Sequence, residues 1–160
     1  MNGSITMSSI TMSKASESTV QAWTSLVRAE QLVLARVEDD LKRAGFPSLE
    51  CYDVLAELDG APLGKLPQAE VQGRILLAQY NLCRLVDRLE REDLVRRVPS
   101  PEDGRSNLLV ITDKGRDLRR RMWPVYSAAI EAHLGSRLSA GEADRLAGLL
   151  GKLEAARERV

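Results

Sequence analysis

The chain has 160 residues, 44% hydrophobic and 29% charged, with aromatic residues at only 4%. That composition reads as one globular domain, or one domain with arms, whose core is built mainly of Leu, Val, Ala and Ile. Lys and Arg balance Asp and Glu at 23 each, so net charge excludes no partner, while the absence of any apolar run near the ~20 residues a membrane span requires excludes a spanning helix.

Taken in chain order, the first 18 residues, MNGSITMSSITMSKASES, are Ser/Thr-rich and weakly hydrophobic. They predict a disordered arm over 1–18. No basic segment precedes an apolar one, so they do not read as a secretory signal, and the cytoplasm is the expected compartment. From Thr19, Val20, Trp23, Val27, Leu34, Val37 and Leu41 recur at helical spacing and predict a helix to about residue 44, stopped by Gly45. Ser48 is the expected N-cap of a second helix with the stripe Cys51, Val54, Leu55 and Leu58, ended by Gly60 and Pro62. A short third helix is expected from Pro67 to Gly73.

The fourth helix, about 78–92, places Leu82, Leu85, Val86 and Leu89 at i, i+3, i+4 and i+7. Gln79, Tyr80, Asn81, Arg84, Arg88 and Arg91 lie off that stripe. Leu94–Val98 and Asn107–Ile111 read as two strands, joined by turn chemistry from Pro99, Pro101, Asp103 and Gly104. Thr112 caps a fifth helix running to about Leu134, which Pro124 is expected to kink. Ser139-Ala-Gly-Glu142 matches a capping box and opens a sixth helix to about Glu158, with the stripe Leu146, Leu149, Leu150 and Leu153. The order ααααββαα describes a mainly α (α+β) fold, a winged helix-turn-helix flanked by long helices.

Charge follows this division. Residues 1–73 carry 6 Lys/Arg against 10 Asp/Glu, whereas residues 74–121 carry 12 against 8. A basic middle third can focus a positive field on one face, although solvated helix faces give the same count. A major groove admits one helix, whose first turn reaches base edges. Gln79, Tyr80 and Asn81 occupy that turn, and Arg84 lies one turn on, within reach of a guanine or a phosphate. Arg105, at the tip of the hairpin, can enter a minor groove, with Asp103 bracing its guanidinium. Arg96 and Arg97 alternate faces of their strand, so at most one points at DNA; Arg97 and Arg88 are included among the candidate contacts. Arg74 and Ser106 are candidate phosphate contacts.

Residues 76–115 resemble the signature of the MarR family of bacterial transcriptional regulators. The matching runs are Leu85-Val86-Asp87-Arg88-Leu89-Glu90, Leu94-Val95-Arg96-Arg97, Asp103-Gly104-Arg105 and Ile111-Thr112-Asp113-Lys114-Gly115. Three positions depart from the family pattern. Ala78 stands where Ser or Thr usually opens the recognition helix, Asp93 where a left-handed Gly is usual, and Gln72 where a small apolar residue is expected.

The resemblance implies a homodimer formed by intertwined terminal helices, reading an inverted-repeat operator in double-stranded DNA. On that reading 46–112 is the winged helix-turn-helix, and 19–45 with 113–160 forms the dimerisation region, through Val20–Leu41 and Trp123–Leu153. It also implies a cleft for a small aromatic or phenolic effector that relieves repression; Trp23, Arg28, Tyr52, Trp123, Tyr126 and His133 are its candidate lining, and core or interface packing is the other reading for each. Cys51 and Cys83, the only cysteines, have neither disulfide-framework nor metal spacing. Cys83, on the recognition helix, could sense oxidants or be a small buried hydrophobe. The remaining alternative is a helical protein-interaction dimer that has lost DNA binding. With one histidine, no Gly-rich phosphate loop and no zinc-protease histidine pair, an enzyme, a cofactor and a metal are not expected.

Overall fold

Ser16 accepts a hydrogen bond from the Thr19 N–H at 3.2 Å and opens a 27-residue helix, α1 (Glu17–Arg43). Gly45, at φ +78°, closes it: its N–H donates to the Lys42 carbonyl and that of Phe46 to the Leu41 carbonyl. This is the left-handed stop that glycine adopts at no steric cost. The computed structural model describes residues 14–75, 79–102 and 104–155. Most of the expected arm (1–13), the expected cap position Ala78, Asp103 and the last residues expected of the sixth helix (156–158) lie outside the described residues.

The chain divides into two compact units, Met1–Leu32 and Val33–Val160. In the first, Val20, Trp23 and Leu32 are exposed, Trp23 to 66%. The second begins within α1 and contains the core. α2 (Leu49–Gly60) buries the stripe Cys51, Val54, Leu55 and Leu58 completely. Its expected cap differs. Ser48 has the extended backbone of an N-cap but makes no side-chain bond; Glu38 of α1 accepts the Leu49 N–H instead, at 2.9 Å. A carboxylate at a helix N-terminus makes a charge-assisted bond aligned with the helix dipole, which a hydroxyl cannot match.

After a 3-10 turn, Pro62–Gly64, come β1 (Lys65–Pro67), α3 (Gln68–Arg74), α4 (Gln79–Arg91), β2 (Val95–Pro99), β3 (Asn107–Ile111), α5 (Asp113–His133) and α6 (Ala140–Glu154). Among the described residues the sheet has three antiparallel strands in the order β1-β3-β2, not the two that the hairpin alone predicts. β1 is three residues long, too short to carry an alternating pattern, and exists by pairing with β3. Leu66 and Arg97 both stand opposite Leu109, and Val95 stands opposite Ile111. These five share one face, and on it Leu66, Val95, Leu109 and Ile111 are buried.

That face meets a core that includes Leu41, Leu55, Leu58, Leu82, Leu89 and Met122. Each buried leucine contributes about 1.5–3 kcal/mol relative to exposure. α5 continues across Pro124 as a single helix. An interior proline costs about 3 kcal/mol, and the buried residues Leu118, Met122 and Ala129 hold the helix across the missing bond.

The start of α5 grips the turn after α4. Thr112 Oγ1 accepts the Gly115 N–H at 3.0 Å and donates to the Asp93 carbonyl at 2.7 Å. Lys114 Nζ donates to the Glu92 carbonyl at 2.7 Å. Asp93 adopts the left-handed conformation expected of it, at φ +57°. The capping box of α6 forms as expected: Ser139 Oγ accepts the Glu142 N–H, and the Glu142 carboxylate accepts the Ser139 N–H. Leu146, Leu149 and Leu153 remain exposed on α6.

Candidate nucleic-acid interface

α4 is positioned by its apolar stripe: Leu82, Leu85, Val86 and Leu89 are all buried. Packing that stripe inward turns Arg84, Asp87 and Arg91 outward, where they are exposed, and leaves Asn81, Cys83 and Arg88 half-buried on the flanks. Gln79 and Tyr80 open the helix. A depression of about 330 Å³ beside α4 is lined by Asn81, Arg84, Leu85, Arg88 and Arg91, with Glu50 from the first turn of α2. Three arginines lining one groove suit a polyanion. Arg105 is exposed and Ser106 half-buried at the end of the β2–β3 hairpin, where the Ser100 N–H donates to the Ser106 carbonyl at 2.9 Å.

Among the expected contacts, the side chains of Arg74, Arg88 and Arg97 meet the following partners inside the protein. Arg74 bridges Glu70 at 2.7 Å and Glu57 at 3.2 Å. Arg88 donates to Cys51 Sγ at 3.0 Å. Arg97 lies on the inward face of the sheet and pairs with Asp87 at 2.6 Å and Glu90 at 2.7 Å. Arg96 is the residue of that pair on the outer face, exposed and 3.4 Å from Asp93. Strand alternation foresaw that only one of the two faces outward; which one was set by the register with β3.

The cysteines differ in setting. Burial pushes the Cys51 thiol up, against the opposing influence of Arg88, so at neutral pH it is the unreactive thiol. Cys83 is half-buried, and its Sγ accepts from Gln68 Nε2 at 3.6 Å.

Of the expected effector residues, the structure gathers Tyr52, Trp123 and Tyr126. Tyr52 and Trp123 stack with centroids 6.2 Å apart, and Tyr126 meets both edge-on at 4.9 and 5.9 Å. Arg119, which sequence reasoning missed, lies over the Tyr52 ring at 6.0 Å and bridges to Asp59 at 3.2 Å. Its i, i+4 spacing to Trp123 was the available signal. A depression of about 200 Å³ is lined by Tyr52, Arg119, Arg120 and Trp123. His133 pairs with Asp40 at 2.7 Å, while Trp23 and Arg28 are exposed in the Met1–Leu32 unit.

Asp53 on α2 is the most perturbed carboxyl. Burial, reinforced by Glu57, Glu38 and Glu50, pushes it up to about 6 from an ordinary 3.8. Between those values the folded protein holds a proton that the unfolded chain has released, so stability falls as pH rises from about 4 to about 6. Asp53→Asn removes that cost. Urea unfolding is expected to show a gain of about 1–2 kcal/mol at pH 7.5, discounted for the solvent that still reaches the group, and none at pH 4. Equal gains at both pH values would show that the cost is not one of titration.

Residues 44–106 match the family model described as MarR family. Over 113 residues the chain is 35% identical to YkoM of Bacillus subtilis, an uncharacterized HTH-type transcriptional regulator, with 71% of each chain covered. The chain belongs to the MarR family. Its fold is similar to that of Sco3205, a MarR family transcriptional regulator from Streptomyces coelicolor solved in complex with DNA, at TM-score 0.81 and 23% identity over 90% of this chain and 91% of that one. It is also similar to Bordetella bronchiseptica BpsR, whose DNA binding is regulated by 6-hydroxynicotinic acid, at TM-score 0.77 and 22% identity over 88% and 98%. The family match and the relationship to YkoM make this MarR-family protein a DNA-binding transcriptional regulator, in a family of regulators and not of enzymes. No helix among its described residues is long and apolar enough to cross a membrane. Two of the three departures from the family pattern fall on described residues: Asp93 takes the left-handed turn, and Gln72 is half-buried in α3.

Proposed function

We propose that two copies of this chain form a repressor that reads an inverted-repeat operator with α4 and the hairpin, and that a small aromatic or phenolic effector releases it. The observation that carries the reading is an arginine-lined α4 in the same unit as a hairpin with Arg105 at its tip. Such a pair suits one helix in a major groove and one arginine in the neighbouring minor groove. Gln79, Tyr80 and Asn81 read base edges, and Arg84 and Ser106 hold the backbone. A second copy is supported by the apolar side chains left on the surface of α1 and α6, with Leu149 and Leu153 exposed to 58% and 63%. An effector is supported by the Tyr52–Trp123 stack with Arg119 and Arg120 beside it, a setting for a flat ring bearing a negative charge. Release requires that the effector bind better to the state that does not fit DNA.

The test is fluorescence anisotropy on duplexes that the protein enriches from random DNA, beside a scrambled duplex, across a salt series. Preferred binding that weakens linearly in log–log form, by about 0.9 per phosphate neutralised, is the expected result. Equal affinity for the scrambled duplex would remove sequence reading and leave the interaction-module alternative. In a Trp23→Phe variant, a hydroxylated aromatic acid is expected to quench the remaining Trp123 and to weaken the DNA complex; quenching without weakening would separate the cleft from regulation.

A further inference from the structure

We propose that Arg97 is a positioning residue, which with Asp87 and Glu90 clamps the β2–β3 hairpin to α4 and contacts no DNA. The proposal rests on the reading of α4 and the hairpin as the DNA-binding surface, and concerns what holds the two in register.

The register places Arg97 on the face of the sheet that it shares with Val95, Leu109 and Ile111. A guanidinium turned toward that face is costly unless charged partners meet it. Two do. Asp87 and Glu90, three apart on one flank of α4, accept from its two terminal nitrogens at 2.6 and 2.7 Å. The second oxygen of Glu90 accepts the Arg97 main-chain N–H at 3.1 Å. β2 is an edge strand, and its outward N–H groups otherwise face solvent. Glu90 thus holds both the backbone and the side chain of one strand residue, and these contacts cross from α4 to the hairpin.

Charge argues the same way. Two carboxylates on one guanidinium leave the cluster with a net negative charge, which repels a phosphate. The Arg97 side chain is 22% exposed, against 55% for Asp87, so a phosphate approaching from solvent meets the carboxylate first. Short charge-assisted bonds of this kind are directional and fix an angle as well as a distance. The angle they fix is that between α4 and the strand leading to Arg105.

The two roles predict opposite signs for Glu90→Gln. If Arg97 contacts DNA, the variant leaves its guanidinium held by Asp87 alone, removes a repelling charge and tightens binding. If Arg97 is a clamp, binding weakens, by about 5- to 10-fold, because the hairpin is held less firmly. Anisotropy of the full chain on a duplex enriched by the wild-type protein reads this directly, with a thermal melt to confirm folding. Asp87→Asn, which leaves both Glu90 bonds to Arg97 in place, is expected to weaken binding less and provides the reading if Glu90→Gln does not fold. Tighter binding in either variant overturns the proposal. Arg97→Ala is expected to weaken binding with the salt dependence unchanged; a slope shallower by about 0.9 per protomer would mean a lost phosphate contact and would also overturn it. Failure of the DNA reading shows itself beforehand, as no duplex enriched by the wild-type protein, and the proposal falls with it.

Discussion

Arg105→Ala weakens operator binding by about 100-fold while leaving the thermal unfolding midpoint almost unchanged. Arg105 is exposed at the hairpin tip, and surface substitutions of this kind usually stay within about 0.5 kcal/mol of stability. An arginine seated in a groove is worth about 1.4 kcal/mol or more, a factor of ten per half-site. The two-fold complex proposed above would lose that contact twice, which multiplies to the hundredfold. The salt dependence should also become shallower, by about 0.9 for each charge withdrawn. The control is Arg121→Ala, which removes the same charge from α5, where Arg121 pairs with Asp117 at 2.9 Å. Anisotropy on one enriched duplex compares the two. A loss for Arg105→Ala no larger than that for Arg121→Ala would detach the hairpin from DNA recognition.

Gly115→Ala lowers stability by about 3 kcal/mol, a fall of roughly 6–12 °C in the melting midpoint. Helix propensity predicts the reverse, because alanine in a helix is favoured over glycine by about 1 kcal/mol. The close approach of α5 to the end of β3 and the turn before β2 decides the sign. A Cβ at Gly115 would collide with the Leu94 carbonyl oxygen and come within 2.9 Å of Ile111 Cγ1. The first of these is backbone and has no rotamer to retreat into. To make room, α5 must move off the turn it grips through Thr112 and Lys114, and that turn ends α4. Melting followed by circular dichroism checks this. A stabilised variant would show that the approach is looser than the hydrogen bonds at Thr112 imply. DNA affinity measured well below the melting midpoint should fall as well, since α4 loses its anchor.

Much of the fold was legible because it is written in short-range patterns. The stripe of Leu82, Leu85, Val86 and Leu89 needs only the helical period to identify it, and all four are buried. The caps at Thr112 and Ser139 need only neighbouring N–H groups, and both form. The left-handed Asp93 was marked by the family pattern and by the tolerance of Asp for that conformation. β1 escaped notice because three residues carry no period. Ser48 yielded its capping role to Glu38, which is remote in sequence and therefore invisible to a local rule.

The site divides along the same line. Residue order alone was enough to place a helix with Gln79, Tyr80, Asn81 and Arg84 off its apolar stripe before a hairpin tipped by Arg105, because period, turn chemistry and residue type are local properties of the chain. It also determined that Arg96 and Arg97 face opposite ways. Which of them turns inward was set by the packing of the fold, since that depends on how β2 registers against β3 and which side of the sheet the core covers. Packing likewise decided that Arg74 spends its charge on Glu57 and Glu70, that Arg88 meets Cys51, and that Arg119 joins Tyr52 and Trp123. An arginine can reach a phosphate, a carboxylate or a ring with nearly equal ease. The choice is made by whichever partner the fold brings within about 3 Å, or for a ring about 6 Å, and that distance is a property of packing between elements.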